Sequence, residues 1–510
     1  MEVSTAATLP RLNVGLLRRH PEWAANAILQ PLPEKVLQFG AGVFLRGFVD
    51  WMVDGMNRQG LFNGSVVVVP SMTPGKVTAL NRQDGAYTHL ARGLQDGQVV
   101  EEKRIVTAIR RGIDPYTQFH EYLQCAHNPE LRFIVSNTTE AGIAYHSDDK
   151  QSDQPPVSFP AKLTLLMMER YKAFAGDPSS GFVLLPCELI ERNGDNLKKT
   201  VLQTAANWNL ESKIVDWIEK ANVFTNTLVD RIVTGFPRDE AQALWQASGY
   251  IDDLFNTSEA FHLWVIEGPA ALARELPLVE AGFNVIFADD MTPYRDRKVR
   301  ILNGAHTTTV LAAYLAGEDL VGDCMKDPLI GGFMERAIYD EVIPTLALPK
   351  DELDTYAAAV FERFSNPFIR HALLSISLNS VSKYKARVLP SVEQYISVNG
   401  LVPARLAFGL AALIVFYRGT VIQNGALIGQ RDGKEYRIQD DVPVLETFAG
   451  LWSGFDGSTA GPHRLTDAVL QRRDWWGKDL RQLPGLSAAV GGHVESILNR
   501  GMRASLQQVG

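Results

Sequence analysis

Short runs of apolar, often β-branched residues alternate with stretches of helical periodicity through the first 290 residues of this chain and almost vanish afterwards. Continuous short runs of this kind are typical of parallel strands that are covered on both faces, which predicts a doubly wound α/β domain. We expect its strands at residues 36–39, 66–69, 101–109, 133–135, 182–185, 261–267 and 285–287.

From Pro293 onward, apolar residues recur with helical spacing and strand signals are rare. We therefore expect a second, mostly α-helical domain, with residues 1–290 in the first domain and 291–510 in the second. The polar stretch 429–436 is predicted to form a loop or a hairpin, and 146–158 a surface loop. Helices of the second domain are predicted at residues 293–316, 329–346, 352–364, 401–417, 442–452 and 486–499.

The composition restricts the class of partner. The 510 residues are 46% hydrophobic and 21% charged, with a net charge of −8, and the pI is about 5.8. An acidic chain of this kind disfavours nucleic acid or an anionic membrane surface as its main partner. The expected partner is a small molecule, and the expected assembly is a monomer or a small homo-oligomer.

Cysteine and histidine usage argues against a disulfide framework and a metal site. Cys125, Cys187 and Cys324 are scattered, which fits a reducing compartment. The ten histidines show no metal-ligand spacing. No signal peptide is evident, and the longest apolar stretch, 406–417, is shorter than the roughly 20 residues that cross a bilayer. We therefore expect a cytoplasmic protein without a metal.

A glycine-rich turn follows the first predicted strand. Gly40 and Gly42 would let the backbone turn tightly and approach a pyrophosphate, and the predicted helix 44–56 would offer unpaired N–H groups to it. The third glycine of a GxGxxG pattern is missing, because Leu45 occupies its position and Gly47 comes two residues later. An ordinary strand-to-helix turn is the alternative interpretation.

The segment after the second strand reads Val69-Pro70-Ser71-Met72. It contains neither the acid that would bind the ribose of NAD nor an arginine for the phosphate of NADP. The preference between the two cofactors is therefore not readable at this position.

One amine, one amide and one imidazole occur close together at the start of the predicted helix 293–316. On an α-helix, Asn303 and His306 would lie about 60° apart, and Lys298 about 80° from His306. A lysine near apolar surface and a second cation can exchange a proton near neutral pH, and an asparagine N–H can stabilise a developing oxyanion. In the alternative interpretation Lys298 is solvated and His306 is a satisfied core residue.

Three further segments carry candidate residues, each with a structural alternative. Asn193-Gly194 follows the strand predicted at 182–185 and is also a common turn dipeptide. Asp230-Arg231 interrupts an apolar run, as either a buried ion pair or a site. Lys383, Lys385 and Arg387 could bind a carboxylate or form a solvated basic face.

Seven blocks of the chain together resemble the polyol-specific long-chain dehydrogenases, the mannitol dehydrogenase family. The resemblance runs from about Val36 to Met502. The blocks are VLQFGAGVFLRGFVDW, FIVSNTTEAGIAYH, FPAKLT, LPCELIERNGD, TLVDRIVTGFPRDE, KVRILNGAHT and RFSNPFIRHALLSISLNSVSKYKARVLP.

This resemblance implies a Rossmann-type N-terminal domain, a helical C-terminal domain with the site in the cleft, and zinc-independent, NAD-dependent hydride transfer. It implies Lys298 as the acid/base, Asn303 and Asn193 as groups that polarise the carbonyl, and His306 as the residue that orients substrate hydroxyls. Asp230, Lys383, Lys385 and Arg387 are expected to bind substrate. The residues expected to bind the cofactor are Val36, Phe39, Gly40, Ala41, Gly42, Val43, Phe44, Leu45, Arg46, Gly47, Asn137 and Thr138.

Two departures from the family pattern bear on the substrate. Mannitol dehydrogenases read Cys-Asp-Asn where this chain has Cys187-Glu188-Leu189, so that triplet and Asn193 remain alternative positions for the second asparagine. They also carry an arginine eight residues before the lysine, where this chain has Ser375. With Lys385 and Arg387 nearby, the altered pattern favours a sugar acid over a neutral polyol.

Overall fold

The computed structural model describes residues 9–24, 27–71, 75, 77–139 and 141–509. Met72, at the expected position of the ribose-binding acid, lies outside these residues. The chain divides into two compact units: residues up to Gly93 with Val99–Met291, and Leu94–Gln98 with the residues from Thr292 onward. The predicted boundary after residue 290 differs from this division by one residue and by the short segment 94–98.

Strands up to Met291 belong to three sheets. They are β1 (Glu34–Phe39), β2 (Ser65–Val69), β3 (Tyr87–Gln95), β4 (Gln98–Val106), β5 (Ile109–Gly112), β6 (Phe133–Ser136), β7 (Val183–Pro186), β8 (Val223–Phe224), β9 (Asn226–Asp230), β10 (Val233–Gly235), β11 (Asn256–Ser258), β12 (Leu263–Glu267) and β13 (Val285–Ala288). The helices here are α1 (Val14–Arg19), α2 (Val43–Arg46), α3 (Val49–Arg58), α4 (Thr78–Arg82), α5 (Phe119–Gln124), α6 (Phe159–Ala173), α7 (Asn193–Asn207), α8 (Ser212–Ala221), α9 (Ala241–Ser248) and α10 (Leu272–Glu275).

The largest sheet has six parallel strands in the order β5-β2-β1-β6-β7-β8. Counted along the chain within this sheet, that order is 3-2-1-4-5-6, the order of a Rossmann fold. One apolar cluster, which includes α3, covers one face, and another, which includes α6, covers the other. The predicted doubly wound α/β class is therefore confirmed for this unit.

The third strand of this sheet was predicted wrongly. Residues 101–106 belong to β4, which pairs with β3 in a separate sheet of order β10-β11-β3-β4, and the third parallel strand is β5. Glu101, Glu102 and Lys103 are exposed on β4. A strand covered on both faces has no room for three consecutive charges, so this run is suited to an edge strand.

The strands predicted at 261–267 and 285–287 exist as β12 and β13, but they lie outside the six-stranded sheet. They pair with β9 in a three-stranded sheet of order β13-β12-β9. The β9 strand ends at Asp230, so this small sheet fixes the backbone at one of the predicted site residues.

The second unit is mostly helical, as expected. Its helices are α11 (Thr292–Arg297), α12 (Gly304–Leu315), α13 (Val321–Lys326), α14 (Pro328–Arg336), α15 (Lys350–Phe364), α16 (Leu373–Ile376), α17 (Ser380–Arg387), α18 (Leu389–Asn399), α19 (Ala404–Phe416), α20 (Val442–Ser453), α21 (Gly461–Leu470), α22 (Arg473–Trp476), α23 (Leu486–Arg500) and α24 (Met502–Val509). The predicted hairpin is present, with strands β14 (Ile422–Gln423), β15 (Ala426–Arg431) and β16 (Lys434–Ile438).

Two of the predicted long helices contain π-helical segments. The helix predicted at 293–316 consists of α11, a π-helix at Lys298–Asn303 and α12. The helix predicted at 329–346 consists of α14, a π-helix at Ala337–Val342 and a short 3₁₀ turn. Hydrophobic periodicity finds the helical region but does not register one extra residue in a turn, which is why the sequence missed both segments. Within the described residues, no helix is both long enough and apolar enough to cross a membrane.

Candidate functional site

The glycine-rich turn connects β1 to α2, at the carboxyl end of the central strand of the parallel sheet. Ligands of doubly wound folds bind at such strand ends. Gly40 has a φ of +128°, and a Cβ added there would lie 2.9 Å from the carbonyl oxygen of Asn137. Only glycine tolerates this combination without strain.

Gly42 is the N-cap of α2, and no side chain caps this helix end. It is exposed, and a Cβ added to it would meet nothing within 4 Å. The start of α2 therefore presents its backbone to open space, which suits the close approach of a phosphate. These features fit a dinucleotide. Because no side chain caps the start of α2, a phosphate could reach its backbone N–H groups without displacing one.

The predicted single helix 44–56 is interrupted at Gly47 and Phe48, which separate α2 from α3. The carbonyl of Val43 accepts a hydrogen bond from Asn256 Nδ2 at 2.9 Å, and that of Gly47 accepts one from Arg231 Nη1 at 2.8 Å. A Cβ on Gly47 would lie 2.9 Å from Asn256 Nδ2. These side chains, which are distant in sequence, fix the end of the turn. The interruption of the helix therefore could not be predicted from local periodicity.

Most side chains of the turn support the fold and do not face solvent. The apolar residues Val36, Phe39 and Leu45 are buried in the core, and Phe44 stacks on Phe48 with ring centroids 5.1 Å apart. Arg46 is also buried; it donates to the carbonyl of Leu254 at 2.5 Å. The exposed members of the predicted set are Gly42 and Val43, with Ala41 half-buried.

Asn137 and Thr138, both predicted to bind the cofactor, lie in the loop after β6, beside the turn. Asn137 Nδ2 donates to the carbonyl of Cys187 at 2.7 Å. The buried carboxylate of Glu188 accepts hydrogen bonds from Thr138 N and Oγ1, both at 2.9 Å, and from Ser136 Oγ at 3.1 Å. Burial raises the pKa of Glu188 above its usual value, and these hydrogen bonds oppose that rise. Glu188 thus fixes this loop, a role that the sequence did not predict.

Asn193 is fully buried at the start of α7, and its side chain forms hydrogen bonds only with backbone groups. Nδ2 donates to the carbonyls of Pro186 at 2.9 Å, Thr227 at 3.0 Å and Glu188 at 3.2 Å. Oδ1 accepts from the backbone N–H groups of Gly194 and Thr227, both at 2.9 Å. Because two amide hydrogens already serve three carbonyls, the structure argues against Asn193 as a group that polarises a substrate carbonyl. Its position couples β7, α7 and β9.

Asp230 and Arg231 are both buried at the end of β9. Arg231 lies over the ring of Trp51, with 4.2 Å from Cζ to the ring centroid, and Nε donates to the carbonyl of Glu259 at 3.1 Å. Burial lowers the pKa of Arg231 to about 9. Together with its bond to Gly47, these contacts make Arg231 a support of the glycine-rich turn at residues 40–47, which we call the cofactor turn after its predicted role. Asp230 stays a predicted substrate ligand.

In the second unit, a π-helix at Lys298–Asn303 changes the relative directions expected for the predicted catalytic residues Lys298, Asn303 and His306. On an α-helix, Lys298 and Asn303 would point about 140° apart, since five residues at 100° make 500°. A π-helix closes hydrogen bonds between residues five apart, so these two residues lie over one another on one face. Both side chains are half-buried. Isolated π-helical turns are frequent at functional sites, and this one begins and ends at the two predicted residues.

His306 lies in the first turn of α12 and is 7% exposed. Its ring packs on that of Phe364 with centroids 4.1 Å apart and meets the ring of His371 at 5.5 Å. Burial, with a further contribution from nearby positive groups, lowers the pKa of His306 to about 3. The ring is therefore neutral at physiological pH and offers one donor and one acceptor. The basic groups that contribute are His371, Arg387, Arg363 and Lys383, in order of effect, and burial lowers the pKa of His371 itself.

Two of the three predicted substrate-binding cations of α17 lie near His306, and one does not. Arg387 is half-buried, and its Nη1 donates to Thr307 Oγ1 at 3.4 Å. Lys383 is half-buried, and its Nζ donates to the carbonyl of Ile376 at 2.8 Å. Lys385 is exposed and extends towards Gly477, where an added Cβ would lie 3.6 Å from its Nζ. Residues two apart on a helix face different directions, which separates Lys385 from the others.

Sequence reasoning missed Arg363, Phe364 and His371, which contribute to the surroundings of His306. They come from α15 and from the segment before α16, and no spacing rule connects either with residue 306. Among the described residues, no group of three or more His, Cys, Asp or Glu side chains is placed to hold a metal ion.

Two protein-family models match this chain, one in its N-terminal part and one in its C-terminal part. The mannitol dehydrogenase Rossmann domain matches residues 34–280, and the mannitol dehydrogenase C-terminal domain matches residues 290–498. An altronate oxidoreductase of Pectobacterium atrosepticum is 49% identical over 93% of this chain and 96% of its own length. One from Shigella flexneri is 47% identical over the same shares of the two chains.

Two solved structures share the fold. A Pseudomonas fluorescens mannitol 2-dehydrogenase, in a ternary complex with NAD and D-mannitol, superimposes with a TM-score of 0.69 at 23% identity, over 98% of this chain and 99% of that chain. A D-sorbitol dehydrogenase in substrate-free form gives a TM-score of 0.77 at 22% identity, over 93% and 95% of the two chains. Likenesses at this level of identity concern the fold alone.

Proposed function

The chain belongs to the mannitol dehydrogenase family, and we propose that it is an NAD-dependent oxidoreductase that interconverts D-tagaturonate and D-altronate in hexuronate breakdown. The observation that carries this proposal is the 47–49% identity, over 93% of the chain, to relatives named altronate oxidoreductase. The half-buried cations Lys383 and Arg387 near His306 support a substrate that bears a carboxylate.

The first unit has a turn that suits the dinucleotide. Gly40 and Gly42 leave room for the pyrophosphate beside the uncapped start of α2, and the loop of Asn137 and Thr138 lies next to this turn. The bound nicotinamide supplies or accepts a hydride. Glu188 and Arg231 act indirectly, because they hold the backbone of the loop and of the turn.

The second unit provides the proton and the orientation. Lys298 holds a proton at Nζ and transfers it to the carbonyl oxygen of the substrate during reduction, or takes it from the hydroxyl during oxidation. Asn303 donates an N–H to the same oxygen and so stabilises the negative charge that develops there. The neutral ring of His306 orients a substrate hydroxyl, since it can donate through one nitrogen and accept through the other.

The direct test is oxidation of NADH at 340 nm by the purified protein with D-tagaturonate, D-fructuronate and D-fructose in parallel. We expect the highest kcat/KM with D-tagaturonate. A preference for D-fructuronate would make the protein a D-mannonate-forming reductase, and a preference for D-fructose would make it a mannitol-type dehydrogenase. Absence of turnover with all three, despite NADH binding, would overturn the proposal.

A further inference from the structure

Lys162, a lysine of α6, has no part in the site described above. It is 0% exposed, although a lysine is rarely buried completely unless it is paired with an acid. Its Nζ donates to the carbonyl oxygens of Val157 at 2.6 Å and Ser71 at 3.0 Å, and to the hydroxyl of Tyr116 at 3.3 Å. An ammonium group has three N–H donors, so these three neutral oxygens use all of them.

The bond to Ser71 places this amine beside the predicted cofactor site. Ser71 follows β2, the strand that lies next to β1 in the parallel sheet. In a Rossmann fold, the end of this second strand receives the ribose of the adenosine half of the cofactor. The chain has neither an acid nor an arginine at residues 69–72. Instead, the backbone carbonyl of Ser71 is bonded to a buried amine.

A second buried side chain holds the same segment further along. Asp114 follows β5 and accepts hydrogen bonds from the backbone N–H groups of Gly75 at 2.7 Å and Tyr116 at 3.0 Å. Because β5 pairs with β2 in parallel, the segments after both strands lie at the same edge of the sheet. Lys162 and Asp114 thus fix the backbone after β2 at two points, Ser71 and Gly75.

The loop at residues 146–158 supports Lys162. The buried carboxylate of Asp149 accepts hydrogen bonds from the backbone N–H groups of Val157 at 2.7 Å and Ser158 at 3.1 Å. Ser158 is the N-cap of α6, so Asp149 fixes both an acceptor of the amine and the start of the helix that carries it. Burial lowers the pKa of Lys162 to about 8, and the negative charge of Asp149 opposes this.

We propose that Lys162 is a positioning residue for the adenosine half of the cofactor: its buried amine fixes the backbone after β2 in the conformation that receives the ribose. This inference rests on the proposed function, because it assumes a dinucleotide at the carboxyl ends of the parallel strands. A segment that is already ordered binds a ligand more tightly than one that must become ordered on binding. Since its three donors are used, Lys162 has none left for the 2′-phosphate of NADP and acts through the backbone.

The test compares Lys162→Met with a matched control, Lys172→Met, by calorimetric titration with the two halves of NADH. Lys172 lies on the same helix with 61% of its side chain exposed, so its replacement removes an amine at the surface. We expect Lys162→Met to raise Kd for ADP-ribose about tenfold and to leave Kd for reduced nicotinamide mononucleotide within about twofold. The control should change neither Kd by more than about twofold.

Tyr116→Phe provides a milder variant should Lys162→Met fail to fold. It removes one of the three acceptors of the amine, so it should raise Kd for ADP-ribose about two- to fivefold and leave Kd for the mononucleotide unchanged.

Equal changes with both halves of NADH, or none with ADP-ribose, would leave Lys162 a structural role alone and overturn the inference. A loss confined to 2′-phospho-ADP-ribose would also overturn it, because Lys162 would then bind a phosphate directly. A wild-type protein that binds neither NADH nor ADP-ribose would instead contradict the proposed function.

Discussion

The cofactor turn and the surroundings of His306 use polar side chains in opposite ways. Around the turn, three buried side chains bond mainly to the backbone: Asn193 makes five hydrogen bonds to backbone groups, Glu188 accepts three, and Arg231 donates to two carbonyls. Around His306, by contrast, Lys383 donates a hydrogen bond to one backbone carbonyl and Arg387 donates one to a hydroxyl group. The first region is built to hold backbone in a fixed shape, and the second leaves charge and hydrogen-bonding capacity for a ligand.

The contrast predicts that the largest loss of turnover comes from the second region. Lys298→Ala should lower kcat about 10²- to 10⁴-fold, because a positioned proton donor contributes that much to carbonyl chemistry. The dissociation constant for NADH, measured by fluorescence titration, should stay within about twofold of the wild type, since Lys298 lies outside the glycine-rich turn. Unchanged kcat would remove Lys298 from the mechanism.

The two asparagines provide a matched comparison of the two regions. Asn303→Ala should lower kcat about 10²-fold, as expected for loss of one oxyanion donor, with little change in Tm. Asn193→Ala should instead lower the free energy of unfolding by about 2–4 kcal/mol, because several buried backbone groups lose their partner. Steady-state kinetics and thermal denaturation of both variants would measure this. If Asn193→Ala lowered kcat strongly and left Tm unchanged, Asn193 would contact the substrate after all.

These two asparagines also show what the sequence can and cannot reveal. The strands β1, β2, β6 and β7 and the turn at Gly40 were predictable, because short apolar runs and paired glycines are local signals. The π-helix between Lys298 and Asn303 was not, since one extra residue per turn leaves the apolar pattern almost unchanged. Asn193 was predicted as a site residue because the backbone groups that bond to its side chain belong to β7 and β9. The local sequence gives no sign of these contacts. Phe364 was missed because tertiary packing alone brings it to His306.

Within the cofactor turn, two glycine substitutions should separate shape from ligand contact. Gly40→Ala should lower the free energy of unfolding by about 1–3 kcal/mol, because its φ of +128° and the 2.9 Å approach to Asn137 strain any side chain. Gly42→Ala should leave Tm unchanged, since its Cβ enters open space, and weaken NADH binding about tenfold by blocking the approach of the phosphates.

Thermal denaturation and NADH titration of both variants test this pair. If Gly42→Ala bound NADH as tightly as the wild type, the phosphates would not lie against the start of α2. If Gly40→Ala were as stable as the wild type, the turn would be less constrained than its conformation indicates.

The two regions should also differ in how the free energy of unfolding depends on pH. Burial and nearby positive groups lower the pKa of His306 from 6.5 to about 3, so below pH 6.5 the unfolded chain binds a proton that the folded one does not. Stability from His306 is therefore lost as pH falls from about 6.5 towards 3, by up to about 1.4 kcal/mol per pH unit.

Near the cofactor turn the sign is reversed. Burial raises the pKa of Asp50, whose Oδ2 accepts from Gln38, from 3.8 to about 7, so the folded state keeps a proton that the unfolded state releases. Stability from Asp50 is lost as pH rises from about 4 to 7. In urea denaturation between pH 4.5 and 6.5, His306→Gln should make the rise of stability with pH shallower, and Asp50→Asn should make it steeper. Slopes that change in the same direction would contradict the opposite electrostatic character of the two regions.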